Sequence, residues 1–378
     1  MKAIASILML TCFLCFAQGQ NSKTKTSKLV VDTYTNSDKI DGIFVYEFNT
    51  QTGDLVLKSK VAGEDNPSYV TVSENGKFIY SVNEFKNGTI SAYTLNSQSG
   101  ELEFLNRMST GGESACHVTL DEKNRLAFVS NYGSGSLSVI SLNEDGSLNK
   151  RVQFFQNKGT SADKRRQEGP HVHGAFITPD RNFLLSPDLG TDKVNIYKYD
   201  PSDTSQPLVP SEPSFVSVKP GNGPRLITFH PNLSIAYLIQ EMGGVITVYD
   251  YMAGTLTEKQ TITMVSPDFK GKKGASDILF SKDGRFLYAT NRGDANEIVI
   301  YSVSKKDGRL EYAGRQTSMG KTPRSIAIDP TGNYLLAGNQ ESNEIIIFNR
   351  DKKTGMLTPT GKRFEVKRPV SLKFVNLK

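Results

Sequence analysis

The sequence predicts an all-β fold, a single seven-bladed β-propeller built from four-stranded antiparallel blades. The first observation is a strand–turn–strand pattern that occurs seven times, at a spacing of roughly 45 to 55 residues that is typical of propeller blades. The second is that the chain begins and ends part-way through this pattern, so that its N- and C-terminal strands complete one blade. The third is that no stretch has the apolar spacing of a helix of useful length.

One copy of the repeat, residues 322–348, shows the features of a blade most clearly. Its sequence is TPRSIAIDPTGNYLLAGNQESNEIIIF, in which two apolar runs flank the hairpin turn Pro330–Asn333. A third strand is expected at Glu344–Phe348 and a fourth around Met356–Thr360. The inner strands of the seven copies are expected to begin near Pro67, Ala115, His171, Pro224, Ala275, Pro323 and Pro369.

The two ends of the chain indicate how the ring closes. Pro369–Phe374 has the pattern of an inner strand, and no further strand follows it. Leu29–Thr35 has the pattern of a second strand, and no inner strand precedes it. Joined in one blade, the two segments remove the open sheet edges that would otherwise favour aggregation.

The first 19 residues have the features of a secretory signal peptide. Lys2 precedes an apolar run, Ala3–Phe16, and the small-x-small sequence Ala17-Gln18-Gly19 follows. Because the run is too short to span a bilayer, no membrane span is expected. We therefore expect an exported protein, periplasmic or extracellular, with a flexible lead-in at residues 20–28 and the propeller at residues 29–378. The sequence leaves open whether the exported form is free or lipid-anchored.

The composition is that of an ordinary globular protein. Of the 378 residues 22% are charged, and the net charge of +6 is spread along the chain without a basic block that contains aromatic residues. Nucleic-acid binding is therefore not expected. Cys12 and Cys15 lie in the signal, so that Cys116 is alone in the mature chain and no intramolecular disulfide is expected. The oligomeric state is not indicated.

Positions that differ between the copies are the candidates for function, because residues present in every copy are expected to fold the blade. An asparagine recurs at the end of the second strand, and we interpret it as turn-forming. The position after it varies and is often ionisable, which predicts that side chains from different blades meet at one mouth of the central channel. The residues that we place at this position are Glu84, Tyr132, Asp188, Glu241, Arg292 and Gln340.

The starts of the inner strands also differ. Arg225 and Arg324 stand where other copies have small or apolar residues, and His171 and His173 head a single copy. Strand alternation would place both imidazoles on one face, which alone is a weak metal signal, although Glu84, Asp188 or Glu241 could complete a site. Because the arginines already supply positive charge, we expect neither a metal nor another cofactor.

Five segments carry specific motifs, namely EGPHVHGAFITPD, GNGPRLITFHP, AYLIQEMGG, FLYATNRGDANEI and TPRSIAIDPTGNYLLAGNQ. Together they resemble the seven-bladed lactonase family, and the resemblance extends over Leu29–Phe374. This family includes the propeller-type 6-phosphogluconolactonases of bacteria and the fungal 3-carboxy-cis,cis-muconate lactonising enzyme. The resemblance implies that His173, Arg225, Glu241 and Arg292 form the catalytic group.

The implied reaction is hydrolysis of an anionic sugar-acid lactone, in which water attacks directly because no serine triad or nucleophile elbow is visible. Glu241 or His173 would act as the base, and the arginines would hold the substrate's anionic group or stabilise the oxyanion. The residues expected to contact the substrate are His171, Asp188, Glu84 and Arg324. Since phosphogluconolactone is a cytosolic metabolite, the predicted export argues against that particular substrate.

Two other functions remain open at this point. The same residues could serve a cycloisomerase of the carboxy-muconate type, in which Glu241 or His173 delivers a proton. A propeller without catalytic activity could instead bind a sugar or a protein through its mouth, because a fold does not fix a function.

Overall fold

The computed structural model describes residues 25–36 and 40–375, and this part of the chain forms 28 strands and no helix. The strands make seven four-stranded antiparallel sheets, as the sequence predicts. The predicted signal peptide lies outside the described residues. Among the described residues, no helix has the length and apolar character needed to cross a membrane.

We number the blades I to VII along the chain. Blade I contains β1 (Thr26–Thr33), β2 (Asp41–Asn49), β3 (Leu55–Ala62) and the C-terminal β28 (Pro369–Phe374). Blade II contains β4 (Pro67–Val72), β5 (Phe78–Asn83), β6 (Thr89–Leu95) and β7 (Leu102–Ser109). Blade III contains β8 (Ala115–Asp121), β9 (Leu126–Asn131), β10 (Ser136–Leu142) and β11 (Leu148–Gln156). Blade IV contains β12 (Phe176–Ile177), β13 (Phe183–Asp188), β14 (Lys193–Tyr199) and β15 (Leu208–Ser217).

The remaining blades have the same order. Blade V contains β16 (Pro224–Phe229), β17 (Ile235–Gln240), β18 (Val245–Met252) and β19 (Thr255–Thr263). Blade VI contains β20 (Ala275–Phe280), β21 (Phe286–Asn291), β22 (Glu297–Val303) and β23 (Leu310–Thr317). Blade VII contains β24 (Pro323–Ile328), β25 (Tyr334–Asn339), β26 (Glu344–Arg350) and β27 (Leu357–Glu365).

The core lies between neighbouring blades. Second strands such as β17 and β25 are buried along their whole length, because both of their faces pack against an adjacent sheet. Outer strands such as β3 and β7 are mostly exposed. One apolar cluster, for example, joins Tyr288 and Ile300 of blade VI to Leu335 and Phe348 of blade VII. This packing holds the inner strands in a ring around the channel.

The ring closes as predicted, through antiparallel pairing of β1 with β28. The strand β1 begins at Thr26, so that the last three residues of the predicted lead-in lie in the sheet. Lys28 is buried, and its Nζ donates to Glu47 Oε2 at 2.8 Å, which explains how a polar sequence is held in the sheet. Ser27 Oγ donates to the carbonyl of Val375 from the other end of the chain.

Deleting the residues after Arg368 tests this closure. The truncation removes β28, and with it the buried side chains of Leu372 and Phe374 and the pairing partner of β1. We expect the truncated chain to aggregate or to lose its cooperative thermal transition, because blade I then has an open inner edge. A melting curve like that of the full-length chain would contradict the role of β28.

A bulge turns the second residue of the inner strand toward the channel. In blades I, II, III, V, VI and VII the pairing register shifts at this residue. Such bulges re-aim a side chain and are common next to active sites. In blade IV the inner strand is reduced to β12 and the single bridge between Val172 and Asp188, so that its first position is Val172 and not His171 as predicted.

A backbone hydrogen bond between the second strand and the inner strand also repeats in all seven blades. The residue after the second strand donates its backbone N–H to the carbonyl of the residue just before the inner strand. In blade V, for example, Glu241 N donates to Gly223 O at 2.7 Å, and in blade IV Leu189 N donates to His171 O at 2.9 Å. These bonds place the ends of the second strands beside the starts of the inner strands at one mouth of the channel.

Candidate active site

Two sets of seven equivalent residues surround the mouth, and both follow from the strand register. The first ring, the second residue of each inner strand, is Ser68, Cys116, His173, Arg225, Ser276, Arg324 and Val370. The rim ring, the residue after each second strand, is Tyr34, Glu84, Tyr132, Leu189, Glu241, Arg292 and Gln340. Most of the predicted site residues therefore occupy equivalent positions on different blades.

Asp188 and His171 are the two exceptions. Asp188 lies at the end of a second strand. It is the last residue of β13 and takes the place of the recurring asparagine, while Leu189 occupies the rim position that the sequence analysis gave to Asp188. Its carboxylate is fully buried and accepts hydrogen bonds from the backbone N–H groups of His171, Gly190 and Thr191. Burial raises its pKa, an effect that these bonds and one from Asn157 oppose. Asp188 thus holds the blade IV segment in place from beneath the mouth.

Glu241 is the centre of an ion cluster that it forms with Arg166, Arg225 and Arg292. Its Oε2 accepts a hydrogen bond from Arg225 Nε at 2.9 Å and forms an ion pair with Arg292 Nη2 at 2.8 Å, and its Oε1 accepts a hydrogen bond from Arg166 Nη2 at 2.8 Å. Burial alone would raise the pKa of this carboxyl, but the charges of Arg292, Arg225 and Arg166 hold the pKa well below its usual 4.5. Glu241 is consequently a weak base whose oxygens are already occupied.

Arg225 and Arg292 are fixed by the scaffold as well as by Glu241. Arg225 Nη1 donates to Ser276 O at 3.2 Å, and Arg292 Nε donates to Gly274 O at 3.1 Å. Among the described residues, no hydrogen-bond partner is found for Arg225 Nη2 or Arg292 Nη1. Burial lowers the pKa of Arg292 to about 10, which leaves it charged at neutral pH. Each guanidinium therefore keeps donors for a ligand.

A smaller ion cluster lies on the other side of the mouth. Arg324 Nη2 donates to Glu84 Oε2 at 3.2 Å, and the Tyr34 hydroxyl donates to the same carboxylate. The Arg324 guanidinium also lies over the Tyr34 ring, 5.0 Å from its centroid. The four arginines of the two clusters outnumber the two glutamates, so that the mouth carries an excess of positive charge and favours anionic ligands.

His173 differs from these charged residues because its imidazole is neutral. Burial, the charge of Arg225 and that of Arg324 lower its pKa well below the usual 6.5, against the opposing effect of Glu241. Its Nδ1 lies 4.0 Å from Cys116 Sγ, and within the described part of the chain its Nε2 has no hydrogen-bond partner. Burial raises the pKa of the Cys116 thiol, which is therefore not a ready nucleophile.

His171 lies beside the mouth and packs on an aromatic residue of the rim. Its ring stacks on Tyr132 with centroids 4.4 Å apart, its Nδ1 lies 2.9 Å from Tyr132 O, and its Nε2 lies 3.5 Å from Glu168. The segment that carries His171 and His173 is irregular apart from the bridge at Val172, and both imidazole rings contact the ring of Tyr132. In the parts of the chain that the structure describes, no group of three or more His, Cys, Asp and Glu could hold a metal ion.

Two contributors to the mouth were missed by the sequence analysis. Arg166 comes from the loop between β11 and β12, and its contacts with Glu241 and Tyr132 place it at the mouth. The basic run Lys164-Arg165-Arg166 in the longest interruption of the repeat was the available signal. Tyr34 occupies the rim position of blade I, which an alignment of β1 with the other second strands would have shown.

Comparison with known proteins identifies the fold family. Residues 28–374 match the family described as “Lactonase, 7-bladed beta-propeller”. The chain belongs to this family. It is 35% identical to a 6-phosphogluconolactonase of Bacillus subtilis over 349 residues, which are 92% of this chain and 97% of the relative. A 6-phosphogluconolactonase of Formosa agariphila is 35% identical over 318 residues, 83% of this chain and 90% of the relative.

A solved structure shows the same likeness. The structure of a periplasmic gluconolactonase of Pseudomonas aeruginosa superposes on this chain with a TM-score of 0.89 at 33% sequence identity. The match covers 93% of this chain and 100% of the gluconolactonase chain. The predicted fold class and the resemblance to the propeller lactonases are therefore confirmed. The protein is an enzyme of the lactonase type, a carboxylic-ester hydrolase.

Proposed function

We propose that this lactonase hydrolyses an anionic sugar-acid lactone at the mouth lined by the two rings, with His173 as the base. The observation that carries the proposal is the neutral imidazole of His173, whose Nε2 has no protein partner among the described residues, next to guanidiniums with unused donors. Glu241 is the weaker candidate for the base because three arginines occupy its oxygens.

The hydrolysis begins with a water molecule at His173 Nε2. The thiol of Cys116 donates to the carbonyl of Val172, with Sγ and O 3.7 Å apart, so that Sγ accepts from His173 Nδ1–H and the lone pair of Nε2 is available. Nε2 takes a proton from water as its oxygen bonds to the lactone carbonyl carbon. The tetrahedral intermediate then breaks its ring C–O bond, and the same proton passes from Nε2 to the leaving oxygen to give the hydroxy acid.

The arginines stabilise the charge that forms in this step. The free donors of Arg225 and Arg292 would face the carbonyl oxygen as it becomes an oxyanion, and a single such donor is typically worth ~10²–10³-fold in rate. Glu241 holds both guanidiniums in place, so that they need no reorganisation during the reaction. Arg324, paired with Glu84, would bind an anionic group of the substrate, and His171 would line the same mouth.

Neither a cycloisomerase nor a non-catalytic binding propeller has comparable support. The relatives with 35% identity are named lactonases and not cycloisomerases. A binding module would present free aromatic side chains, but the two aromatic residues of the rim ring, Tyr34 and Tyr132, are engaged by Arg324 and His171. We also propose that the protein is exported, on the basis of the signal-like N-terminus and the periplasmic location named for the Pseudomonas aeruginosa relative.

Proton release from a panel of lactones tests the proposed reaction. The purified mature chain is mixed with glucono-δ-lactone, 6-phosphoglucono-δ-lactone and a carboxymuconolactone in weak buffer that contains a pH indicator. We expect hydrolysis of at least one sugar lactone well above its spontaneous rate. A folded protein that accelerates hydrolysis of neither sugar lactone would contradict the proposal.

A further inference from the structure

The loop that carries Arg166 is built to hold this residue at a fixed place over the mouth. Gln167 is fully buried, and its Nε2 donates to Leu189 O at 2.9 Å and to Asp192 Oδ2 at 2.7 Å. The carboxylate of Asp163 accepts from the backbone N–H groups of Arg165 and Arg166 at 2.8 and 3.1 Å. The backbone of Arg166 is therefore anchored on both sides, while its side chain extends from the loop.

The Arg166 side chain is the outermost of the three that contact Glu241. It is 45% exposed, whereas those of Arg225 and Arg292 are 5% and 15% exposed. Among the described residues, its guanidinium has one other hydrogen-bond partner, the Tyr132 hydroxyl, at 3.2 Å. Unlike the side chains of the two inner arginines, that of Arg166 donates to no backbone carbonyl in the described part of the chain.

This arrangement allows Arg166 to change partners at little cost. If Arg166 leaves, Glu241 remains paired with Arg225 and Arg292, so that no buried carboxylate loses its last partner. A half-exposed ion pair contributes little to stability, because water screens it. The guanidinium can thus rotate toward a ligand that enters from solvent, and its planar donors match a phosphate or carboxylate bidentately.

We propose that Arg166 moves from Glu241 to the phosphate of a phosphorylated lactone, distant from the reacting carbonyl, and thereby selects phosphorylated over neutral sugar lactones. This inference rests on the function proposed above and adds the substrate class to it. It assigns to Arg166 the contact with the part of the substrate nearest to solvent, and leaves the inner arginines to the reacting end.

The test compares Arg166→Met with Arg165→Met, which removes the neighbouring exposed arginine of the same loop. The readout is the ratio of kcat/KM for 6-phosphoglucono-δ-lactone to that for glucono-δ-lactone. We expect this ratio to fall by about 10- to 100-fold in Arg166→Met, the range of a lost charge-assisted hydrogen bond, and to stay unchanged in Arg165→Met. An unchanged ratio in Arg166→Met, including an equal loss on both lactones, would overturn the proposal.

A binding measurement tests the Arg166 site independently of whether the proposed hydrolysis occurs. Calorimetry with the product-like anions 6-phosphogluconate and gluconate does not depend on turnover. We expect wild type to prefer the phosphorylated anion and Arg166→Met to lose that preference. If wild type hydrolyses no lactone but shows this loss, the proposed reaction fails and the Arg166 site stands. Equal affinity of wild type for both anions overturns the Arg166 site, whatever the turnover.

Discussion

Glu241→Gln is expected to lower the free energy of unfolding by about 3–5 kcal/mol, the usual cost of breaking a buried ion pair from one side. The reason is that the guanidiniums of Arg225 and Arg292 are nearly buried, and the negative charge of Glu241 balances their positive charges. Turnover is expected to fall by at least ~10²-fold as well, since both guanidiniums lose the partner that positions them. Chemical denaturation and steady-state kinetics measure the two effects.

Glu84→Gln is the matched control for this variant. Glu84 is the other carboxylate of the mouth, but its side chain is 24% exposed and it compensates a single arginine, Arg324. We expect a clearly smaller loss of stability than for Glu241→Gln. If the two variants unfold at the same denaturant concentration, Glu241 with its three arginines contributes no more to folding stability than the Glu84–Arg324 pair, which contradicts the prediction.

The second large effect is expected for His173→Asn. Asparagine retains a hydrogen-bonding side chain but cannot take a proton, so that kcat should fall by ~10²–10⁴-fold, the range for loss of a general base. The free energy of unfolding should change little, because His173 is neutral and its side chain makes weak contacts with the Cys116 thiol and the Tyr132 ring. Steady-state kinetics on the preferred lactone and a denaturation curve measure these quantities.

His171→Asn controls for the loss of an imidazole from the same segment. His171 stacks on Tyr132 and lies outside the first ring, so that we expect less than a ~10-fold loss in kcat for this variant. A loss in His171→Asn as large as that in His173→Asn would indicate that the segment needs both rings for its conformation, and would remove the evidence for His173 as the base.

The fold was predictable because the same pattern repeats around the ring. The turns and the alternation of Ser325–Asp329 and Tyr334–Ala337 define one blade, and the position of Pro369–Phe374 after the last complete copy shows how the ring closes. The blade IV register was not predictable in this way. Its inner strand lacks regular pairing at His173-Gly174-Ala175, so that alternation gave no guide to which residue is equivalent to Arg225.

The candidate site was predictable where it depends on the repeat, and not where it depends on a loop. Arg225, Glu241 and Arg292 stand at positions that vary between copies, and the structure brings them into contact. Arg166 lies 75 residues before its partner Glu241 in a segment outside the repeat, so that no periodicity indicates the contact. The charge state of His173 also depends on burial and on arginines from other blades, which the sequence does not reveal.

The dependence of kcat on pH in wild type and in His173→Asn tests most directly whether His173 activates the water. Because the pKa of His173 lies well below 6.5, its base form persists as the pH falls from 8 to 6, and the wild-type rate, corrected for spontaneous hydrolysis, should be flat over this range. Without the base, attack should depend on hydroxide, so that the rate of His173→Asn should rise about tenfold for each pH unit. A flat profile in His173→Asn, parallel to that of wild type, would contradict the account and place the base elsewhere.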